Sequence, residues 1–413
     1  MTSPGANTPF VAIACGGTGG HLFPGLAVAE QLQKRGCVVA LLVSPKDVDQ
    51  EAVKSARGME IVTLPAVALQ NRNYLSFARS FWQSWRASRK LFKSRPPHAV
   101  LAMGGFTSAP PVLAAGKFGA RTFLHESNTI PGRANRFLAR FVDEAFVGFP
   151  SAAARLRARK VTTTGTPVRP QFRWGEATDE PARGDARPTP IATCRTMLGL
   201  DLNRPTILVM GGSQGASAIN GMILSALPSL GNRAAAWQWL HLTGPNDAEK
   251  VKQAYAARGF KAVVKPFLAE MDLALGAATV AVSRAGASSL AEIAAMRLPS
   301  LLVPFPAAAG NHQFYNAQAF EATGAAWLIE QKNATPEKVA ALLCELVEDP
   351  AARAKIQTAL AQWHAPKAAE QIAEIMLEAV ARCQKEVAGQ SHPSTCSCGC
   401  ADKSTKQAVS LGA

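Results

Sequence analysis

Short apolar runs alternate with amphipathic stretches along most of the chain. Residues 10–15, 38–43, 61–64 and 99–103 are mostly apolar runs of strand length, 121–125 and 144–147 continue the series, and 26–35 has helical spacing between the first two. Runs that are apolar along their whole length predict buried strands of a parallel sheet covered on both faces by helices. The pattern breaks over 173–197, where Pro, Gly and charged residues mix without a period, so this segment reads as a surface connection between domains. It restarts with predicted strands at 206–210, 239–242, 262–264, 280–283 and 300–303. The expected fold class is α/β: two Rossmann-like domains with parallel sheets facing across a cleft, one over 1–170 and one over 171–364. Residues 365–388 read as helix that packs back on the first domain. The Ser-, Cys- and Lys-rich tail over 389–413 reads as disordered.

Composition narrows the partners. With 48% hydrophobic and 18% charged residues, a disordered chain is excluded. Lys+Arg minus Asp+Glu is 44 − 29 = +15, and a surface this basic favours an anionic partner: nucleic acid, phospholipid or a phosphorylated substrate. No apolar run reaches the roughly 18 residues a spanning helix needs; 298–309 is shorter and broken by Pro. No basic segment precedes the apolar 10–15, so no secretory signal is read there. Cysteines at 15, 37, 194, 344 and 383, with three in the tail, form no disulfide framework, which fits a reducing cytosol.

Both halves open alike. Gly16-Gly17-Thr18-Gly19-Gly20-His21 follows the first predicted strand, and Gly211-Gly212-Ser213-Gln214-Gly215 follows the first strand of the second half. A strand–glycine–helix turn aims free backbone N–H groups and the positive dipole end of a helix at an anion such as phosphate. The dinucleotide fingerprint fails because its third glycine position is Leu22, and no P-loop is present. His21, at a helix N-terminus, suits acid–base work, since the dipole favours the neutral imidazole that can accept a proton. A helix-capping or phosphate-binding histidine is the alternative. Asp47-Val48-Asp49 is a D-x-D of the metal-binding type, but it lies away from both glycine loops and reads as a surface pair. No metal and no cofactor are expected.

Six ordered segments then carry a resemblance: 16–29, Met103-Gly104-Gly105-Phe106-Thr107-Ser108, His125-Glu126-Ser127-Asn128, Gly165-Thr166-Pro167-Val168-Arg169, 211–216 and 283–292. Over about 10–380 the chain resembles the MurG-type enzymes, the UDP-GlcNAc:undecaprenyl-diphosphoryl-MurNAc-pentapeptide N-acetylglucosaminyltransferases of peptidoglycan synthesis. The resemblance implies a GT-B fold. It implies an inverting transfer of GlcNAc from UDP-GlcNAc to the 4-hydroxyl of lipid-linked MurNAc (lipid I), giving lipid II. It also implies roles. Thr18, Gly19 and Gly20 form the loop at the sugar-phosphate and acceptor side, and His21 is the candidate base. Asn128 holds donor-sugar hydroxyls, Arg169 and Ser213 contact the diphosphate, and Leu268 offers backbone groups to uracil. Ala287, Ser288, Ser289, Leu290 and Ala291 line the helix start beneath the nucleotide, and Glu292 binds the ribose. His312 and Gln313 stand where some members carry two glutamines.

A helical projection of 74–93 places Phe77, Phe81, Trp85 and Phe92 on one stripe and Arg79, Arg86, Lys90 and Lys93 on another, with no acids. Leu75 and Trp82 fall among the basic residues, which suits an anionic phospholipid surface; a buried stripe with a solvated basic face is the alternative. Arg133, Arg136 and Arg140, at i, i+3 and i+7, extend the basic patch. The expectation is a peripheral protein on the cytoplasmic face of the bacterial inner membrane, within a cell-wall synthesis complex. The tail run Cys396-Ser397-Cys398-Gly399-Cys400, with His392 nearby, has no standard zinc spacing. Two other classes stay open: a UDP-GlcNAc 2-epimerase-type isomerase on the same twin-domain fold, and a nucleic-acid-binding protein. No nucleic-acid module is visible for the latter.

Overall fold

The computed structural model describes residues 8–17, 19–45, 58–65, 74–105, 107–172, 190–212 and 215–390. Thr18, Ser213, the Asp47/Asp49 pair, most of the expected 173–197 connection and the cysteine-rich tail lie outside the described residues.

The apolar runs form the strands of two separate all-parallel sheets. The first contains β1 (Phe10–Ala14), β2 (Val38–Val43), β3 (Glu60–Thr63), β4 (Ala99–Ala102), β5 (Arg121–Glu126), β6 (Glu144–Val147) and β7 (Val161–Thr163), in the order β3-β2-β1-β4-β5-β6-β7. The second contains β8 (Thr206–Met210), β9 (Gln238–Leu242), β10 (Lys261–Lys265), β11 (Val280–Ser283), β12 (Ser300–Leu302) and β13 (Trp327–Leu328), in the order β10-β9-β8-β11-β12-β13. Each order reverses beside its first strand, between β1 and β4 and between β8 and β11. At such a switch point the crossover helices leave to opposite sides and open a crevice at the carboxyl ends of the strands. Sequence patterning missed β7 and β13, which are edge strands of three and two residues, too short to show a period.

The helices that matter for the site are α1 (Gly19–Lys34), α2 (Tyr74–Ser94), α3 (Ala109–Ala115), α4 (Arg133–Leu138), α5 (Ile191–Leu198), α6 (Ser217–Leu230), α7 (Ala287–Ala295), α8 (His312–Ala322) and α9 (Ala368–Gln390). Two differ from the sequence expectation. Helix α1 starts seven residues before 26, because Pro24 sits inside it and costs one internal hydrogen bond rather than ending it. Helix α5 replaces the C-terminal part of the expected connection; Cys194 and Leu198, one turn apart, are buried, and Gly199 closes it in the left-handed region.

One face of the first sheet packs Val11, Ile13, Leu41, Leu101 and the stacked Phe123–Phe146 pair against α1 and α9. Helix α9 follows the second domain in sequence, yet it buries Ile372, Ala373 and Met376 in the core of the first. Arg35 at the end of α1 fixes it by ion pairs to Glu370 and Glu374, at 3.2 and 2.9 Å. The opposite face carries α2, α3 and the segment around Leu138, Ala139 and Val142.

Helix α2 turns Ser80, Ser84 and Ser88 inward at a four-residue spacing, together with Phe92. Small side chains let it approach the Pro- and Ala-rich α3 closely. Phe77, Phe81 and Trp85 are half-buried at the flank, whereas Leu75 is 87% and Trp82 52% exposed among Arg79, Arg86, Arg89, Lys90 and Lys93. The Arg86 guanidinium lies 4.6 Å from the Trp82 ring centroid. Arg136 and Arg140 project from α4 and the turn after it, on the same side of the sheet, beside exposed Phe137 and Phe141. No described helix is long and apolar enough to cross a membrane.

Candidate active site in the interdomain cleft

A cleft of about 600 Å³ lies between the carboxyl ends of the two sheets. Helix α1 contributes Gly19, Gly20 and His21 from its first turn, and α7 contributes Ala287, Ser288 and Ser289 from its own first turn and Glu292 from the next. The N-cap of α7 is Gly286, which has no side chain to satisfy the first-turn N–H groups, so these remain available to an anion in the cleft.

The two helix starts are joined. The Ser288 hydroxyl donates to the Gly20 carbonyl at 2.8 Å. In an α-helix that carbonyl would accept from the N–H of residue 24. Residue 24 is Pro, which has no N–H, so the carbonyl is free for the second domain. A proline that seems to weaken α1 thus supplies an acceptor across the cleft.

A second bridge runs through Asn316 of α8, which is completely buried. Its Oδ1 accepts from the backbone N and the hydroxyl of Thr129, at 3.0 and 2.9 Å. Its Nδ2 donates to Asn128 Oδ1 at 3.0 Å and to the Ala285 carbonyl at 3.1 Å. Asn128 is held from the other side as well: its N and Nδ2 both donate to Glu126 Oε1, at 2.9 and 3.1 Å. The other oxygen of Glu126 accepts from Gly132 N and Asn135 Nδ2. This buried carboxylate therefore organises the loop after β5 that carries Asn128 into the cleft. Sequence reasoning assigned no role to Glu126, Asn135 or Asn316. The available signal was an acid, Glu126, at the end of a strand whose last five residues are all buried.

His21 lies against the loop after β4. An ideal Cβ on Gly104 would come within 2.9 Å of its Cε1, and one on Gly105 within 3.3 Å of its Cδ2; both glycines have positive φ. The pair therefore admits the imidazole where any side chain would displace it. Gly25 does the same on the next turn of α1, where a Cβ would meet that of Cys15 at 2.8 Å. It provides the close helix–strand approach for which Leu22 offered no glycine. His125, by contrast, is buried beneath the site. It donates from Nε2 to the Gly165 carbonyl and accepts at Nδ1 from Ser127, and burial lowers its pKa to about 4, so it stays neutral and structural.

Arg169 enters the cleft with its guanidinium 4.2 Å from the Phe23 ring and 5.1 Å from that of Phe172. Its buried Nε has no hydrogen-bond partner among the described residues. A stacked guanidinium with an unused donor, facing two helix starts, is equipped for an oxyanion. Glu292 lies on the cleft wall. Desolvation pushes its pKa up from 4.5 to about 7, against the lowering influence of Arg169. A carboxyl so placed can accept hydrogen bonds from vicinal hydroxyls.

Asn128, Leu268, His312 and Gln313 also line the cleft. Gln313 Oε1 accepts from Phe305 N at 3.0 Å, which leaves its amide N–H groups as donors. His312 donates from Nδ1 to the Ala309 carbonyl at 2.8 Å, leaving Nε2 to interact elsewhere. Two of the sequence-selected residues do not reach the cleft. Leu290 is fully buried in the core of the second domain, and Ala291 is half-buried and outside the lining. Both follow from the 100° helical step, which aims 288, 289 and 292 at the cleft and turns 290 and 293 inward. Thr18 and Ser213 lie outside the described residues. Among the described residues no group of three or more His, Cys, Asp or Glu is arranged to hold a metal ion.

Two Rossmann-like domains that face each other across one cleft, with helix starts and Arg169 placed along it for an anion, give the chain the GT-B fold. The comparisons agree. Residues 11–147 match the model of the glycosyltransferase family 28 N-terminal domain, and 206–372 that of its C-terminal domain. The chain is 36% identical over 387 residues to the UDP-N-acetylglucosamine–N-acetylmuramyl-(pentapeptide) pyrophosphoryl-undecaprenol N-acetylglucosamine transferase of Anaeromyxobacter sp. (strain K), covering 90% of this chain and 93% of the relative. It is 37% identical over 373 residues to the enzyme of that name from Citrifermentans bemidjiense, covering 86% and 96%. The crystal structure of Acinetobacter baumannii MurG superposes with a TM-score of 0.67 at 25% identity, over 90% of this chain and 99% of that one. The chain belongs to this MurG family of N-acetylglucosaminyltransferases. A UDP-N-acetylglucosamine 2-epimerase structure superposes with a TM-score of 0.65 at 14% identity, over 91% and 98%, which shows a shared fold alone.

Two outcomes follow from the geometry. Asn316→Ala leaves the Thr129 N–H and the Asn128 amide without their partner. A loss of about 1–3 kcal/mol in unfolding free energy is expected, read by chemical denaturation. For Glu292, the folded-state pKa lies above the unfolded value, so the native state binds this proton more tightly between pH 4.5 and about 7. Its contribution to stability is fully present below pH 4.5 and is lost as pH rises through 7. Thermal unfolding of Glu292→Gln compared with the wild type from pH 5 to pH 8 should show a smaller fall in Tm for the variant.

Proposed function

We propose that this chain transfers GlcNAc from UDP-GlcNAc to the 4-hydroxyl of MurNAc in undecaprenyl-diphosphoryl-MurNAc-pentapeptide, with inversion at the anomeric carbon, yielding lipid II and UDP. The observation that carries this reading is the cleft that holds His21 and Arg169 on the side of the first domain and Glu292 with the α7 start on the other. In the proposed reaction the acceptor oxygen bonds to C1 of GlcNAc while the bond from C1 to the diphosphate oxygen breaks. His21 takes the hydroxyl proton, because an inverting displacement needs one base on the face opposite the leaving group. The electron pair leaves with UDP, whose added charge falls to the Arg169 guanidinium and the α7 N–H groups. Glu292 receives the ribose hydroxyls. Asn128, with its orientation set by Glu126 and Asn316, and Gln313, with free N–H donors, receive the sugar hydroxyls.

The acceptor is lipid-bound, so the enzyme must meet a membrane surface. The exposed Leu75 and Trp82, ringed by the cations of α2, support peripheral attachment to an anionic membrane through the first domain. The cytoplasmic face is the side that fits a UDP-sugar donor.

The reaction is tested by release of UDP from UDP-GlcNAc with and without a soluble lipid I analogue, in EDTA. Release that requires the analogue and persists in EDTA is expected, and His21→Ala should lower kcat about 10²–10⁴-fold. Conversion of UDP-GlcNAc to UDP-ManNAc without regard to the analogue would instead establish the isomerase. Attachment is read separately: Leu75→Ser with Trp82→Ser should reduce sedimentation with anionic vesicles while kcat on the soluble analogue stays within about twofold, since neither residue lines the cleft.

A further inference from the structure

A second cavity of about 600 Å³ opens beside the cleft, lined by Arg133, Arg136, Arg140, Arg155 and Arg157. It shares Ile130 and Arg133 with the cleft itself. None of the five arginines forms an ion pair among the described residues. The nearby acids Asp143 and Glu144 are engaged elsewhere, by Arg121 and Lys160. Five like charges around one concavity repel one another and gather anions there. Guanidinium forks match carboxylates and phosphates in a bidentate geometry.

The proposed acceptor supplies a suitable anion. Its peptide is amide-linked through its amino end to the lactyl carboxyl of muramic acid. Such a peptide has lost its α-ammonium and keeps at least its terminal carboxylate. The lactyl arm stands on C3, next to the reacting 4-hydroxyl. When that hydroxyl meets His21, the peptide departs from the neighbouring ring position, and Arg133 belongs to the walls of both cavities. We propose that the arginine pocket is the subsite for the carboxylates of the acceptor's peptide. The proposal rests on the transferase reading. Membrane phosphate is the competing anion, but a concave pocket continuous with the reaction cleft favours a part of the substrate over a flat bilayer surface.

The test pairs kinetics with direct binding on the full chain. In Arg155→Gln/Arg157→Gln, KM for a soluble acceptor analogue bearing the whole pentapeptide should rise about tenfold, that for UDP-GlcNAc holding. With an analogue cut back to the lactyl amide, KM should move less than about twofold, because the carboxylates that the pocket holds are gone. In a calorimetric titration the free lactoyl-pentapeptide should bind the wild type and weaken with added NaCl. Its C-terminal amide, and the double variant, should bind less. An equal KM rise with both analogues would overturn the proposal in favour of the acceptor diphosphate. Lost binding to anionic vesicles with both KM values intact would overturn it in favour of a lipid headgroup. If the wild type transferred sugar to neither analogue, the transferase reading would fail, and the titration would still decide the subsite. Binding lost in the variant supports it, and no binding to the wild type overturns it.

Discussion

The side chain of Asn316 is wholly buried, and every hydrogen bond it can make is made within the site: two accepted from Thr129, one given to Asn128 and one to the Ala285 carbonyl. A buried amide left unpartnered costs about 1–3 kcal/mol per group, so the amide fixes how the loop after β5 sits against the second domain. The Ser288–Gly20 contact adds a second point, made available by a proline inside α1. The cleft takes its shape from these bridges. They help set where His21 and Glu292 stand relative to each other, beside the packing of Phe149 against Phe320 and Trp363.

Within that frame, charge is supplied mostly by backbone. The starts of α1 and α7 bring N–H groups and dipole ends, and Arg169 brings a guanidinium packed on the rings of Phe23 and Phe172. Buried acids then do different work at short range. Glu126 is spent wholly on internal donors and is structural, whereas Glu292 faces the cleft with a pKa raised by desolvation to about 7. The contrast comes from hydrogen-bond supply rather than residue type. Two buried histidines repeat the point. His125 and His241 are each held by two internal partners, with pKa values lowered to about 4 and about 3, while His21 sits at the cleft wall.

Much of this was legible along the chain. Buried parallel strands announce themselves as short apolar runs, and the two glycine loops mark the places where backbone can meet phosphate. His21 directly follows the first of those loops and was legible from that position, whereas Arg169, Ser288, Ser289, Glu292 and Gln313 were implied by the family resemblance of their segments; all six line the cleft. Leu290 and Ala291 were selected with them because a motif is a contiguous string, whereas a helix presents residues three and four apart to one side. The aromatic residues of α2 were likewise read as a stripe, yet serines at 80, 84 and 88 form its deepest contact, because α3 approaches closely enough to exclude large side chains.

By itself, the sequence determined the α/β class, the division into two sheets and the glycine loops with His21, because these depend on local periodicity and residue type; the other cleft residues were legible through the family resemblance of their segments. Only the tertiary structure decided the pairing of Asn316 with Asn128, the use of the Gly20 carbonyl by Ser288, and the gathering of five arginines from 133 to 157 around one pocket. Each of these joins residues far apart in the chain or on separate elements. Their energies depend on distance, burial and the supply of hydrogen-bond partners, quantities that come into being only when the sheets and helices pack.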